Sequence, residues 1–90
     1  MEENWKVYIV RCADGTLYTG IAPDVPKRLQ KHNEGKGAKY TRGRTPVTLV
    51  YTEALGTRAA ASRREWEIKA LTREEKLRLI HSEQNQKSSE

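Results

Sequence analysis

The chain opens with two short runs in which β-branched and aromatic residues predominate, separated by a turn signal. Trp5 to Arg11 (WKVYIVR) has the composition of a β-strand. Asp14-Gly15 follows, a dipeptide typical of tight hairpin turns. Leu17 to Ile21 then returns as a second strand. Gly20 interrupts this strand, and a glycine there often marks a bulge or a close backbone approach.

A helical pattern follows the hairpin. Asp24 is a suitable N-cap, and proline is tolerated in the first turn, where Pro26 stands. These signals predict a helix from Val25 to Asn33, with Val25 and Leu29 on its buried side and three polar residues facing elsewhere. Those three are Arg28, Lys31 and His32. Two glycines, Gly35 and Gly37, are predicted to end the helix and to start a flexible loop.

The second half of the chain predicts one strand and two helices. Val47 to Thr52 (VTLVYT) reads as a third strand. Thr57 can cap a helix that runs to Leu71, and Thr72-Arg73-Glu74-Glu75 is a capping box for a helix ending near His81. The order β-β-α-β-α-α predicts an α/β (α+β) fold in one domain over residues 1–82. Residues 83–90 are polar and are predicted to form a disordered tail.

Composition narrows the class of protein. Ninety residues suit one small domain. Cys12 is the single cysteine, which excludes an intramolecular disulfide and a thiolate zinc site. The sequence has no apolar run of membrane-spanning length and no signal-peptide pattern, so we expect a soluble, cytoplasmic protein. The isoelectric point near 9.6 favours nucleic acid over a membrane as the partner.

The positive charge is concentrated in one segment. From Pro26 to Arg44 there are seven Lys or Arg residues and one Glu, whereas the whole chain has a net charge of +5. A local basic patch is the usual electrostatic signature of a phosphate-bearing partner. The loop with its glycines and one tyrosine suits a groove that follows a phosphate backbone. The predicted nucleic-acid contacts are Lys27, Lys31, Lys36, Lys39, Tyr40, Arg42 and Arg44.

Three sets of residues could carry chemistry. Glu65 lies on the thin apolar stripe of its helix, where a carboxylate must be paired or hold a metal; the pattern alone favours a salt-bridged boundary residue. Tyr8 and Tyr18 can approach each other across the hairpin, and the pattern favours simple cross-strand packing over proton transfer. Arg28 and His32, one helical turn apart, suit a phosphate site or a solvated basic face equally well.

Known phosphate, nucleophile and metal motifs are missing from the sequence. It contains no Walker loop, no Rossmann glycine fingerprint, no nucleophile elbow and no metal-binding histidine pair. The enzyme classes that depend on those motifs are therefore excluded.

Taken in order, these residues resemble the GIY-YIG nuclease domain. Its two triplets correspond to Lys6-Val7-Tyr8 and Tyr18-Thr19-Gly20, its helical arginine and following His or Tyr correspond to Arg28 and His32, and its metal-binding glutamate corresponds to Glu65. The runs HNEGKGAKYTRGRTPVTLVY and SRREWEIKALTREEK resemble the small, uncharacterised stand-alone GIY-YIG proteins of bacteria. The resemblance spans about Trp5 to Ile80. It implies a three-stranded antiparallel sheet flanked by helices.

Two departures from the family triplets concern the backbone more than the chemistry. Lys6 stands where the family has its first glycine, and Thr19 replaces the second isoleucine. The chain also has no separate DNA-binding domain, which many family nucleases add. A protein partner that supplies target choice is therefore part of the expectation.

The resemblance implies metal-assisted phosphodiester hydrolysis, with DNA as the expected substrate. Glu65 would hold one Mg²⁺ or Mn²⁺ ion. Tyr8, helped by His32, would accept a proton from the attacking water, and Arg28 would stabilise charge on the phosphate. Tyr18 would fix Tyr8 and hydrogen-bond to phosphate or water, and Gly20 would let the backbone approach. Two alternatives remain: a binding module without catalysis, and a nuclease subunit active only with a partner protein.

Overall fold

The computed structural model describes residues 4–88, with side chains as far as Ser82. Three strands form one antiparallel sheet, as predicted, and the first strand lies between the other two. Three α-helices and one short 3₁₀ helix complete the α+β fold. The elements are β1 (Trp5–Arg11), β2 (Leu17–Ala22), α1 (Val25–Asn33), the 3₁₀ helix (Lys39–Thr41), β3 (Thr48–Gly56), α2 (Arg58–Lys69) and α3 (Arg73–Ser88).

The strand bounds agree with the sequence except at the end of β3. That strand begins at Thr48 and runs to Gly56, four residues beyond the predicted end at Thr52. Its last residues have weak strand propensity, which is why the prediction stopped early. Pairing with β1 extends the strand, because Ala54 and Gly56 lie opposite the first residues of β1.

The helix starts follow the capping residues that the sequence contains. The Asp24 carboxylate accepts a hydrogen bond from the Lys27 amide at 3.1 Å. The Thr57 hydroxyl caps α2 in the same way. In the capping box before α3, Thr72 and Glu75 each accept a hydrogen bond from the other's backbone amide.

The end of α3 differs from the prediction. The helix continues to Ser88 rather than ending near His81. The polar sequence after Ile80 has no apolar stripe, and the sequence pattern therefore gave no reason to extend the helix. The side chains of the predicted tail, residues 83–90, and the backbone of its last two residues lie outside the described residues.

The sheet separates two apolar clusters, because alternate residues of β1 point to opposite faces. Tyr8 and Val10 belong to the cluster beneath α1, whose buried members include Val25. Val7 and Ile9 belong to the cluster beneath α2 and α3, together with Ile68 and Ile80. α2 is thereby placed across the sheet from α1, and any site that both helices share must lie at a sheet edge. Within the described residues, no helix has the length and apolarity that a membrane crossing requires.

The segment between α1 and β3 is held at several points. Gly35 takes a left-handed conformation (φ 79°) directly after the helix, as predicted for a terminating glycine. The Asn33 side chain accepts a hydrogen bond from the Val47 amide at 2.7 Å and joins the end of α1 to the start of β3. Arg44 forms an ion pair with Asp14 of the hairpin turn. The predicted flexible loop therefore contains a 3₁₀ turn and is fastened to the hairpin.

Candidate active site

A cavity of about 290 Å³ opens where the hairpin, α1 and α2 approach one another. It gathers the five residues predicted to be catalytic and the glycine predicted to lie beside them. The lining residues are Tyr8, Tyr18, Gly20, Ile21, Arg28, His32, Ala38 and Glu65. The structure thus brings together side chains from four separate segments of the chain.

The hairpin register places both tyrosines on one face of the sheet. Tyr8 lies opposite Gly20, and Tyr18 lies opposite Val10, so all four share that face. The two tyrosine rings are 6.4 Å apart between centroids. A Cβ atom on Gly20 would lie 2.6 Å from the Tyr8 hydroxyl oxygen, so a larger residue would displace that phenol. Gly20 therefore gives the phenol its space.

His32 is buried, which corrects the prediction that it faces away from the core. Its exposed fraction is 1%, although it lies one turn from exposed Arg28 on the same helix. Both ring nitrogens are satisfied: Nε2 lies 2.8 Å from the Tyr8 hydroxyl, and Nδ1 lies 2.8 Å from the Thr41 hydroxyl. Because these partners come from distant segments, the helical pattern did not reveal them.

Burial sets the protonation of this pair. The pKa of Tyr8 is raised far above its ordinary value, chiefly by burial and further by Tyr18 and Glu65, with Arg28 opposing. The pKa of His32 is lowered, first by burial and then by the Arg28 guanidinium. Both shifts favour the uncharged forms, so a neutral phenol faces a neutral imidazole.

Two further residues of the site were missed from the sequence. Thr41 is fully buried and contacts His32, although it lies within the predicted basic loop. Gly37 lies against the imidazole, and a Cβ atom there would overlap the ring. The sequence offered Gly37 as a helix terminator, a function that Gly35 performs. Because Gly35 already ends the helix, Gly37 needed another explanation, and this was the one signal in the sequence that could have indicated close packing there.

Glu65 reaches the cavity from the other side of the sheet. It projects from α2, and its side chain is 23% exposed and 3.1 Å from Lys69 Nζ. The ion pair that the pattern favoured is present, with Lys69 as the partner of Glu65. Among the described residues, no group of three or more His, Cys, Asp or Glu side chains could hold a metal. A single, partly exposed carboxylate fits a hydrated Mg²⁺ ion, which keeps several waters and takes further oxygens from substrate.

The residues predicted to contact nucleic acid lie in three places: on α1, at exposed positions of the loop after it, and in a stack at the rim of the cavity. Lys27 and Lys31 line an adjoining cavity of about 210 Å³, and Arg28 lines both cavities. These three cations form the basic surface of α1, which Asp24 also borders and which Arg28 joins to the cavity of the tyrosines. Three more cations are exposed on the loop that follows: Lys36, Lys39 and Arg42.

Tyr40 and Arg44 are engaged within the protein. Tyr40 stacks on Tyr18 with ring centroids 5.8 Å apart, and its ring is 44% exposed. The Arg44 guanidinium lies 4.5 Å from the Tyr40 ring centroid and is also paired with Asp14. This stack fastens the loop to the rim of the cavity, so Arg44 has less freedom to bind phosphate than the three exposed cations.

Known proteins share this architecture. A solution structure of the UPF0213 protein BH0048 from Bacillus halodurans is 50% identical and has a TM-score of 0.57, covering 87% of this chain and 83% of that one. The solution structure of EF2693 from E. faecalis is 35% identical, with a TM-score of 0.59 and 92% coverage of both chains. A UPF0213 protein of Staphylococcus aureus (strain Mu3) is 61% identical over 74 residues, which are 82% of this chain and 90% of that relative.

The family assignment rests on nearly the whole ordered chain. The GIY-YIG catalytic domain family matches residues 4–78, a range that includes both tyrosines, the α1 residues and Glu65. The relatives named above are small bacterial proteins of similar length. The chain therefore belongs to the GIY-YIG catalytic domain family and is similar throughout to the UPF0213 proteins.

Proposed function

We propose that this protein is a metal-dependent endonuclease that hydrolyses phosphodiester bonds in nucleic acid, with DNA as the substrate. One observation carries the proposal: a single cavity combines a hydrogen-bonded phenol and imidazole, an arginine and a carboxylate. Phosphodiester hydrolysis needs a proton acceptor for water, a cation for the phosphate and a means of stabilising the leaving oxygen. The family, whose nucleases generally use divalent metal ions, supplies the expectation of that chemistry.

The protein groups would act as follows. Water attacks phosphorus and gives its proton to the Tyr8 oxygen, while the phenolic proton passes to His32 Nε2. The new phosphorus–oxygen bond forms as the bond to the leaving oxygen breaks, and that oxygen takes its proton from solvent. Arg28 stabilises the charge on the phosphate. Tyr18 packs beside Tyr8 and His32 and limits their movement.

Glu65 would hold the divalent ion, Mg²⁺ or Mn²⁺. When bound, the ion would supply Lewis-acid stabilisation of negative charge at the phosphate. Lys69 Nζ lies 3.1 Å from one oxygen of the Glu65 carboxylate, so a divalent ion would compete with its ammonium there. The α1 surface with Lys27 and Lys31, and the exposed loop cations, would position the strand through its phosphates without reading bases.

The ion pair at Glu65 also favours a second candidate function. If Lys69 stays on the carboxylate, the basic surface would bind nucleic acid and the site would not cut. A partner protein that displaces Lys69 would then be needed for activity and could supply target choice. This candidate predicts salt-sensitive binding without cleavage.

Cleavage of labelled duplex, single-stranded, flap and branched DNA with Mg²⁺ or Mn²⁺ tests the proposal. We expect Glu65→Ala to abolish cleavage and to remove metal-dependent stabilisation of the fold. Glu74→Ala is the matched control, because it removes an exposed carboxylate that is also paired one turn along its helix. Cleavage that survives Glu65→Ala would refute the assignment of the site. Binding without cleavage by the wild-type protein would favour the second candidate.

A further inference from the structure

The hydroxyl of Thr41 lies between the His32 imidazole and the Ala38 carbonyl. A threonine hydroxyl has one proton to donate and two lone pairs to accept with. Thr41 Oγ1 lies 2.9 Å from the Ala38 carbonyl oxygen, which can only accept. When the hydroxyl proton is donated to Ala38, the same oxygen can only accept from His32 Nδ1, 2.8 Å away, and Nδ1 then carries a hydrogen.

The rest of the chain of hydrogen bonds follows in one direction. A neutral imidazole with its hydrogen on Nδ1 has a bare Nε2 atom. Nε2 then accepts from the Tyr8 hydroxyl at 2.8 Å. The order is Tyr8 to His32 to Thr41 to the Ala38 carbonyl, with each group donating to the next. With the hydrogen on Nε2 instead, His32 could not receive the proton of Tyr8.

We infer that Thr41 is a positioning residue, which holds His32 in the tautomer that leaves Nε2 ready to accept a proton from Tyr8. This inference rests on the proposed function, in which Tyr8 passes its proton to His32. Thr41 touches neither the cavity nor the basic surface, so its contribution goes through His32 alone.

The position of Thr41 is fixed by contacts independent of His32. Its amide donates to the Ala38 carbonyl at 3.1 Å, and its carbonyl accepts from the Arg44 amide at 3.0 Å. Arg44 in turn is held by Asp14 and by the Tyr40 carbonyl. The residue is fully buried. The hydroxyl is therefore presented to the imidazole at a set place rather than following it.

Gly37 prevents the imidazole from escaping this arrangement. It lies so close to the ring that a Cβ atom would overlap Nδ1 and its neighbours. The ring is also bounded by Tyr18, with ring centroids 5.5 Å apart at a steep angle. A ring turned over would lose both hydrogen bonds without gaining space. The loop that presents Lys39 and Arg42 to substrate thus also carries the group that sets the histidine.

The direct test is the ¹⁵N NMR spectrum of the histidine rings, in which a protonated and a bare nitrogen have distinct shifts. The chain has two histidines, and His81→Gln identifies the second. At a pH where His32 is neutral, we expect a protonated Nδ1 and a bare Nε2 in the wild type. Finding the hydrogen on Nε2 overturns the inference. This measurement needs no activity, so its failure is distinct from failure of the proposed function.

Two variants then separate the hydroxyl from the packing. Thr41→Val keeps the shape and removes the acceptor, which leaves the Nδ1 hydrogen without a partner in a buried site. We expect the tautomer to move toward Nε2, and kcat to fall about tenfold to hundredfold with KM nearly unchanged, a part of what proton transfer contributes. Thr41→Ser restores the hydroxyl and should recover the wild-type spectrum and kcat.

Three outcomes would contradict the inference. An unchanged tautomer in Thr41→Val would show that another group sets the ring. A loss of kcat in Thr41→Ser as large as in Thr41→Val would assign the effect to the lost methyl packing. A rise in KM with kcat unchanged in Thr41→Val would point to substrate binding by the loop instead.

Discussion

The protein has two networks built around a buried tyrosine hydroxyl, one on each face of the sheet, and they differ in what surrounds them. On one face Tyr8 is hydrogen-bonded to His32 beside the cavity. On the other, Tyr51 donates to Glu53 at 2.6 Å, and Arg64 donates to the same carboxylate. The register places the two tyrosines on opposite faces of the sheet. Tyr51 lies opposite Ile9 and shares its face, whereas Tyr8, the neighbour of Ile9 in β1, points to the other face.

The network around Tyr51 contains charged side chains that pair with one another, whereas the network around Tyr8 contains only neutral groups. Arg64 also pairs with Glu67, so two carboxylates surround one guanidinium and every polar group is satisfied within the protein. Both networks border a cavity, since Arg64 and Glu67 line one of about 390 Å³. The chain from Tyr8 differs in carrying no formal charge of its own, and its cavity is lined by Arg28 and Glu65. A closed ion-pair network stabilises the fold, whereas a neutral chain beside a cation and a carboxylate can move a proton. Their difference predicts different responses to matched substitutions.

Removal of the two hydroxyls should give the largest contrast. We expect Tyr8→Phe to lower the cleavage rate by about a hundredfold or more, as loss of a general base does. Tyr51→Phe removes a hydroxyl of the same kind and should leave the rate unchanged, while lowering the free energy of unfolding by about 1 kcal/mol. Cleavage assays and urea unfolding on both variants measure the two effects. A similar loss of rate in both variants would remove the distinction between the networks.

Acid should act through His32, whereas alkali should act through the buried tyrosine of each face, because burial raises the pKa of Tyr8 as well as that of Tyr51. His32 has a lowered pKa in the folded protein, so the stability it contributes is present above its ordinary value of about 6.5 and is lost as the pH falls through the folded pKa. Burial and the bond to Glu53 raise the pKa of Tyr51 to about 12. Its contribution is present below about pH 10 and is lost as the pH rises through about 12.

Urea unfolding midpoints measured across pH test both the loss of stability in acid and the loss of stability in alkali. His32→Gln should flatten the acid limb, and Tyr51→Phe should flatten the alkaline limb in part, because Tyr8 still contributes to it. His81→Gln, which changes the second, exposed histidine, is the control and should flatten neither. The cleavage rate should fall on the acid side as well, because a protonated His32 cannot accept from Tyr8. An acid limb that depends on His81 would contradict the assignment.

Local signals predicted most of the fold because each depends on a few neighbouring residues. The Asp-Gly turn, the caps at Asp24 and Thr57 and the capping box at Thr72 all lie where expected. The exception with a structural cause is β3, whose last four residues owe their strand conformation to β1. Periodicity cannot show pairing with a partner that is distant in sequence.

The sequence predicted which residues belong to the site better than it predicted the contacts and burial of those residues. Tyr8 and Glu65 were chosen by resemblance, since their patterns favoured packing and an ion pair, whereas the pattern left the role of Arg28 open; the cavity unites all three. The burial of His32 could not be read from α1, because the acceptor Thr41 arrives from a loop nine residues later. Hydrogen bonds between segments leave no periodic trace in a sequence, and the same is true of the contact at Gly37.

The smallest predicted effect concerns the lysine at the proposed metal ligand. Lys69→Met should free the Glu65 carboxylate and tighten Mg²⁺ or Mn²⁺ binding on the order of twofold, because exposed pairs of this spacing contribute only a few tenths of a kcal/mol. Arg78→Met is the control: it breaks the Glu74–Arg78 pair, which has the same spacing on α3 and lies away from the cavity. Calorimetric titration of each variant with the metal ion gives the two affinities. Equal changes in both variants would mean that only net charge matters. Weaker binding in Lys69→Met would mean that the lysine orients the carboxylate for the ion, so that the pair belongs to the working site rather than competing with it.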